Sequence, residues 1–441
     1  MVRFANPHLK LKRKRLCTSH WINRVRLLSD LPKLLTDQQH VVFRDWTERY
    51  GDRFRINIAG QSYIFLSDPK AIKSCFEFGE DKLDAGLARQ HFVGFMPTES
   101  LLLASGPKRQ VLRRVIGKAM AKASESFSVF AAVDEFLSSF QTHFADNFED
   151  RVNDFFLQII SLFLVGSVDS QFMATMAKTL KSIDQIPTAT LIFSRLRRIP
   201  PFAKGYAEVA KTIVELRENL SRLLRDGVPE TSFLANFQRQ ALANGISLSE
   251  VMDNMAMFCF VMPRSLKSMF QNVAHALATE TAWQTGLRKA IATDAGSQKM
   301  VRATVKETMR LAPLIPIIVR KALCDLEVDG FSVAKEDLIV VTPYLTHFRA
   351  SSFPHPHQFD PTRFSGHRSY ANEYIPYGGG KNHCVGSGWA VEVICKLFRR
   401  LLTVVEFSSS RGHPEFSEFS MRTLFLRRRT SQFMVRFIQN V

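Results

Sequence analysis

No stretch of this 441-residue chain reaches the roughly 20 consecutive apolar residues that a membrane-spanning helix needs. The longest candidate, Phe155 to Val168, is interrupted by Gln158 and Ser161 and has the length of a buried core helix. No CxxC pair occurs among the cysteines at 17, 75, 259, 324, 384 and 395, and no secretory signal peptide precedes them. Disulfides are therefore not expected, and a reduced compartment is. His347, His355, His357, His367, His383 and Cys384 crowd together, but no pair has the C-x2-4-C or H-x3-5-H spacing of structural zinc. Acidic residues are scarce: the first 29 residues contain none, and 41 Asp plus Glu face 59 Lys plus Arg. The resulting charge of +18 favours acidic partners. With no nucleic-acid-binding signature in the basic residues, nucleic acid is not expected among them.

What is present suits a large core: 46% hydrophobic residues, 37 of all residues being phenylalanine. Val41 to Tyr50 has an amphipathic helix pattern. Strands follow at Arg53–Ala59 and Ser62–Leu66, where Phe54, Ile56 and Ile58 alternate with polar residues about a turn at Gly60-Gln61. Asp68-Pro69 is a helix start. Pro107 to Ala121 reads as a strongly basic helix, and Phe127 to Ala243 as helical almost throughout. The longest helix is expected over 248–279, capped by Ser249 and kinked at Pro263. Asp329-Gly330 marks a hairpin, Leu338–Val341 a strand, and Thr423–Ile438 short strands that close a pocket. The expected class is mainly α with small β-sheets.

The chemistry concentrates in Tyr377-Gly378-Gly379-Gly380-Lys381-Asn382-His383-Cys384-Val385-Gly386, ahead of a helix pattern at Trp389, Val393, Leu397 and Leu401. Glycines let a backbone turn through positive φ and pass close to something flat. A cysteine before a helix has its thiolate stabilised by unpaired N–H groups. Read alone, the loop fits a ligand of haem iron or an inert cysteine beside a glycine turn. Glu307 and Arg310 sit at i and i+3 on a helix whose buried face is Val301, Val305 and Met309.

This loop resembles the haem-binding loop of the cytochromes P-450, aromatic-Gly-x-Gly-x-x-x-Cys-x-Gly, with Tyr377 for the usual phenylalanine and Asn382 where arginine or histidine is frequent. Glu307, Arg310 and Arg363, the last in Phe359-Asp360-Pro361-Thr362-Arg363-Phe364, match that family's Glu-x-x-Arg and Pro-x-Arg-Phe pairing. The resemblance implies a cytochrome P-450 fold around one haem b. It makes Cys384 the iron ligand and gives Arg113, Arg320 and Lys381 the haem propionates. Glu307, Arg310 and Arg363 become a buried structural triad, and Ser265 an alcohol on the oxygen side. Arg109 stands where the family has tryptophan. Val261-Met262-Pro263-Arg264-Ser265-Leu266 replaces the family's acid–alcohol pair, with Arg264 at the acid position.

The implied function is a monooxygenase inserting one atom of O2 into a lipophilic molecule, in the manner of secondary metabolism. Electrons would come from NADPH through an acidic flavoprotein reductase or ferredoxin, docked on Lys108, Arg109, Arg114, Lys396, Arg399 and Arg400. A haem-thiolate isomerase or dehydratase without an electron partner, and a degenerate or truncated haem-binding paralogue, are the alternatives. Apolar stretches Phe92–Leu103, Met257–Ser265 and Leu314–Val319 would line the substrate pocket. The resemblance runs from about Val41 to the C-terminus. The expected organisation is a basic segment over 1–40, disordered or membrane-proximal, then one haem-binding domain over 41–441. The basic segment leaves peripheral membrane contact, an organelle presequence and a truncated gene open. Eukaryotic members usually begin with an anchor, so the endoplasmic reticulum surface is favoured, with mitochondrial and cytoplasmic locations also open.

Overall fold

The computed structural model describes residues 30, 33, 39–58, 60–138, 148–186, 202–294, 296–366, 368–409, 419–422, 425–428 and 434–437. Most of the basic segment and His367 lie outside them. Helix α1 (Gln39–Tyr50) leads into strands β1 (Arg53–Ile58) and β2 (Gln61–Leu66), then helix α2 (Pro69–Glu77) and the short strand β3 (Leu83–Asp84). Helices α3 (Gly106–Ser126), α4 (Val129–Ser138), α5 (Phe148–Val165), α6 (Ser170–Asp184), α7 (Phe202–Asp226), α8 (Phe233–Leu242), α9 (Leu248–Thr279), α10 (Thr281–Ala292) and α11 (Ser297–Leu311) follow. Strands β4 (Ile318–Ala322), β5 (Leu326–Val328), β6 (Phe331–Val333) and β7 (Leu338–Val341) precede helix α12 (Ser387–Val404) and strand β8 (Val405–Ser408). The chain is mostly helical with small sheets.

The principal sheet has the order β1-β2-β7-β4-β3 and is mixed: β2 runs parallel to β7, and the other pairs are antiparallel. Strand residues alternate in facing. Phe54, Ile56, Phe65 and Val340 pack with Val42 and Trp46 of α1, while Ile64, Leu66, Ile339 and Val341 pack with Ile72, Cys75 and Phe76 of α2. Covered on both faces, the sheet explains why β7 reads as the unbroken apolar run Leu-Ile-Val-Val.

Local signals act as their chemistry requires. The Asp68 carboxylate accepts from the N–H groups of Lys70 and Ala71, with Pro69 at the first helical position. Asp329 and Gly330 both adopt positive φ, at 45° and 80°, in the primed turn that joins β5 to β6. Near the C-terminus, β8 pairs with Met434–Phe437, and Phe419–Arg422 with Phe425–Arg428. Residues 423–424, 429–433 and 438 of the expected pocket-closing run lie outside the described residues.

Helix α9 is the axis of the larger core and is buried along most of its length. Its cap is Ser247 rather than Ser249. The Ser247 hydroxyl accepts from the Glu250 N–H while the Glu250 carboxylate accepts from the Ser247 N–H, a reciprocal box available only at that three-residue spacing. Pro263 sits inside the helix, which stays α-helical across it. Proline still removes the N–H that would reach the Cys259 carbonyl. Among the described residues, no single helix is long and apolar enough to cross a membrane.

Candidate active site

The cysteine loop is placed by α2. A Cβ on Gly379 would come within 2.4 Å of the Phe76 ring, and one on Gly380 within 2.5 Å of the Phe76 carbonyl oxygen. Glycine is required there by a protein neighbour, Phe76, which is a cause not visible in the loop itself. Gly378 and Gly380 also take positive φ, at 76° and 59°. The loop closes through Cys384 N–H donating to the Tyr377 carbonyl at 2.8 Å. Cys384 then lies three residues before α12, where the N–H groups of Gly386 and Ser387 donate toward its sulfur. Cys384 is exposed by surface area, yet enough protein surrounds it that burial pushes its thiol pKa up, against the opposing pull of these N–H groups and of Arg113. Both observations hold for a side chain lining an interior cleft.

Beside the loop, four guanidinium groups converge from separate elements: Arg89 after β3, Arg109 and Arg113 on α3, and Arg320 on β4. Each has a pKa lowered first by burial, with Arg109 lowered to about 10, and in Arg89, Arg109 and Arg113 neighbouring arginines add to the lowering. The carboxylates acting on the group are Glu80 and Asp84, so four positive charges face two negative ones. Arg113 donates to the His383 carbonyl and Arg320 to that of Val319, both backbone groups without formal charge. Nη1 of Arg89 is buried with no hydrogen-bond partner among the described residues. An uncompensated buried cation cluster is costly unless an anion completes it. The two propionates of a haem fit this excess in sign and number, and the adjacent thiol is a soft iron ligand, so the residues present fit the group.

Lys381 does not join the cluster. In the single 3₁₀ turn Gly380–Asn382, consecutive side chains diverge by about 120°. Asn382 faces the arginines and bonds Arg109 and Glu80, whereas Lys381 is exposed to solvent. Arg109 is likewise not part of a solvated basic face, being only 3% exposed. Of the other expected docking residues, Lys108 pairs with Glu250, Lys396 with Glu392, Arg399 with Asp294 and Arg400 with Asp134. Those charges are substantially neutralised, and Arg114 alone of that set has no carboxylate partner among the described residues.

Glu307 and Arg310 meet as expected, both fully buried, in a bidentate pair of 2.7 and 2.8 Å. The three remaining guanidinium N–H groups donate to the carbonyls of His347, Pro356 and Gln358, so all five donors are used. Glu307 also accepts from the Asp360 N–H at 2.9 Å. Arg363 is the looser member: its Nε lies 3.5 Å from Glu307 without forming a hydrogen bond, and its Nη2 donates to the His355 carbonyl. His347 ties this group to the cysteine loop. Ile375 N–H donates to Nε2 at 2.9 Å, which places the ring proton on Nδ1, 3.0 Å from the Arg310 carbonyl. Burial holds the imidazole neutral, with a pKa lowered to about 3.

On α9, Arg264 pairs with Asp184 of α6 at 2.5 Å, in a cleft of 650 Å³ also lined by Asp150, Asp154, Lys267, Phe156 and Leu180. Val261 and Ser265, one turn apart, are partly accessible on a side that does not line this cleft. The reversed charge at 264 therefore has its own carboxylate partner, from a helix that sequence spacing does not connect to it.

The sequence profile of the cytochrome P450 family matches residues 265–434. A putative cytochrome P450 135B1 from Mycobacterium tuberculosis is 25% identical over 394 residues, 83% of this chain and 81% of that protein. Taxane 10-beta-hydroxylase from Taxus cuspidata is 37% identical over 95 residues, 21% of this chain and 19% of that protein. The structure of retinoic acid-bound cyanobacterial CYP120A1 superposes with a TM-score of 0.73 at 17% identity, covering 90% of this chain and 94% of that one. Fold, motif order and relatives agree in supporting the cytochrome P450 superfamily of haem-dependent oxidoreductases for this chain.

Proposed function

We propose that this chain is a haem-thiolate monooxygenase, built as one domain over 41–441, in which Cys384 would ligate the iron of haem b and Arg89, Arg113 and Arg320 would hold its propionates. The excess of two positive charges beside the cysteine loop, with Arg109 and Arg320 buried and Arg89 and Arg113 half-buried against Glu80 and Asp84, carries the reading. When bound, haem supplies the redox-active iron for reducing dioxygen and inserting one of its oxygen atoms into a substrate. The chain's own residues bind and orient. Gly386 and Ser387 N–H groups aim at the Cys384 sulfur and favour its thiolate form. Arg113 and Arg320 would meet the haem carboxylates, and Arg113 also anchors the His383 carbonyl next to Cys384. The Glu307–Arg310 pair and His347 hold the strand of chain entering the loop at Ile375. Ser265 presents a hydroxyl from α9 on the side away from the Arg264 cleft.

The substrate is lipophilic. Phe92, Phe95, Leu101, Met257, Phe258 and Leu314 are apolar and buried in the stretches expected to border it. The names of two similar proteins point the same way, one a taxane hydroxylase and one holding retinoic acid. Electrons come from NADPH through a partner reductase, a flavoprotein or ferredoxin, docking where Arg114 remains uncompensated.

Reduced, CO-saturated protein should show the strongly red-shifted Soret band of thiolate-ligated haem, lost in Cys384→Ala. Haem uptake without that band would overturn the ligand assignment. One observation favours a second reading, a hydroperoxide isomerase needing no electrons: Arg264 offers no acid where monooxygenases of this family carry one. Substrate-dependent NADPH oxidation in the presence of a reductase separates the two.

A further inference from the structure

Asn382 occupies a position that only a neutral, two-sided side chain can serve. Its Oδ1 accepts from Arg109 Nε at 2.9 Å, and its Nδ2 donates to Glu80 Oε1 at 2.5 Å. Arg109 lies 3.6 Å from the same Glu80 oxygen, closing a three-membered ring of side chains. The ring is built in. Arg109 is 3% and Glu80 4% exposed, the other Glu80 oxygen accepts from Ala85 N–H at 3.0 Å, and Arg109 Nη1 donates to the Leu101 carbonyl. Three segments distant in sequence thus meet: the turn after α2, helix α3 and the cysteine loop two residues before Cys384.

A cation at 382 has no lone pair for Arg109 to donate to, and would stand beside Arg109 and Arg113, whose pKa values Arg320 already helps to lower. A carboxylate at 382 would face Glu80. The residue types at 80, 109 and 382 are therefore coupled, and Arg109 is spent on backbone carbonyls and Asn382 rather than turned toward an anion.

We propose that Glu80, Arg109 and Asn382 are one positioning unit that sets the cysteine loop in its ligand-presenting form before the cofactor enters. The proposal deepens the haem reading and rests on it. In the assembled state the unit fixes where the Cys384 sulfur stands relative to α3. In the cofactor-free chain it restrains the loop and so keeps the thiol, accessible but crowded by protein, less reactive than in a free loop.

Two readouts test it on the full chain: transfer of bound haem to a scavenging apoglobin, and carbamidomethylation of Cys384 in haem-free protein, followed by peptide mass spectrometry. Asn382→Leu, which keeps the volume and removes both bonds, should raise both rates by about tenfold or more. Asn382→Asp and Glu80→Gln should each do the same singly, while the double variant, which exchanges the amide and carboxylate partners, should return to within about threefold of the parent. Rescue excludes simple misfolding, since the double variant carries both substitutions. Singles that match the parent, or a double that is the sum of its singles, would overturn the proposal. If the parent takes up no haem, the haem reading fails by itself, and the alkylation rates still decide whether the unit restrains the loop.

Discussion

Two buried charge groups in this molecule are built to opposite specifications. At Glu307–Arg310 every guanidinium donor is used, and the carboxylate also takes a backbone N–H. Beside the cysteine loop, Arg89, Arg109, Arg113 and Arg320 outnumber Glu80 and Asp84, and one arginine nitrogen is buried unpaired among the described residues. The first group is complete without any ligand. The second is complete only with an added anion. Satisfied buried charge serves structure, and unsatisfied buried charge marks a binding site.

Breaking the complete group has the largest effect. Arg310→Ala leaves Glu307 buried without its partner, and should cost about 3–5 kcal/mol, a large part of a typical domain's stability. Denaturant melts or soluble yield would show it, and a variant as stable as the parent would remove the contrast. Arg320→Met should behave in the opposite sense in haem-free protein, holding or raising the melting temperature because it relieves repulsion. The same substitution should weaken haem binding by about tenfold or more, measured by titration. A loss of stability in both states would mean that Arg320 is structural like Arg310.

A smaller effect concerns pH. His347 stays neutral down to about 3 in the folded chain, against 6.5 for an ordinary histidine. Between these values the unfolded chain binds one more proton than the native one, so stability falls as pH drops from 6.5 toward 3 and is unaffected above. His347→Gln, whose amide can still accept from Ile375 and donate to Arg310, should lessen the acid-side slope by one proton in pH-dependent melts. The smallest effect belongs at the surface. Arg400→Ala, which opens a half-exposed pair with Asp134, should change stability by less than about 1 kcal/mol in the same melts.

How much was legible follows from distance along the chain. Short-range chemistry reads well: the Asp68-Pro69 cap, the Asp329-Gly330 turn, the Leu338–Val341 strand and the i, i+3 pair at Glu307 and Arg310 all appear as expected. The Ser247 cap was also local, and the Ser-x-x-Glu spacing to Glu250 was the signal for it. Long-range partners leave no such trace. Nothing near Arg109 announces Asn382, 273 residues away, or Glu80, and so a basic helix pattern reads as a solvated face. Arg264 and Asp184 are 80 residues apart and on different helices. Lys381 and Asn382 are adjacent, and only the turn geometry decides which of them faces inward.

The parallel pairing of β2 with β7 has a consequence during synthesis. Ile64 finds its partner in Ile339, so β1, β2 and α1 emerge from a ribosome with one strand edge open and wait for about 275 further residues. At the usual rate of roughly 5–20 residues per second that wait is about 15–55 s, with the β2 edge open to other nascent chains throughout. Two of the five strands are thus a temporary aggregation hazard, and the yield of folded protein should respond more to chaperone supply and cooler expression than to the strength of the promoter.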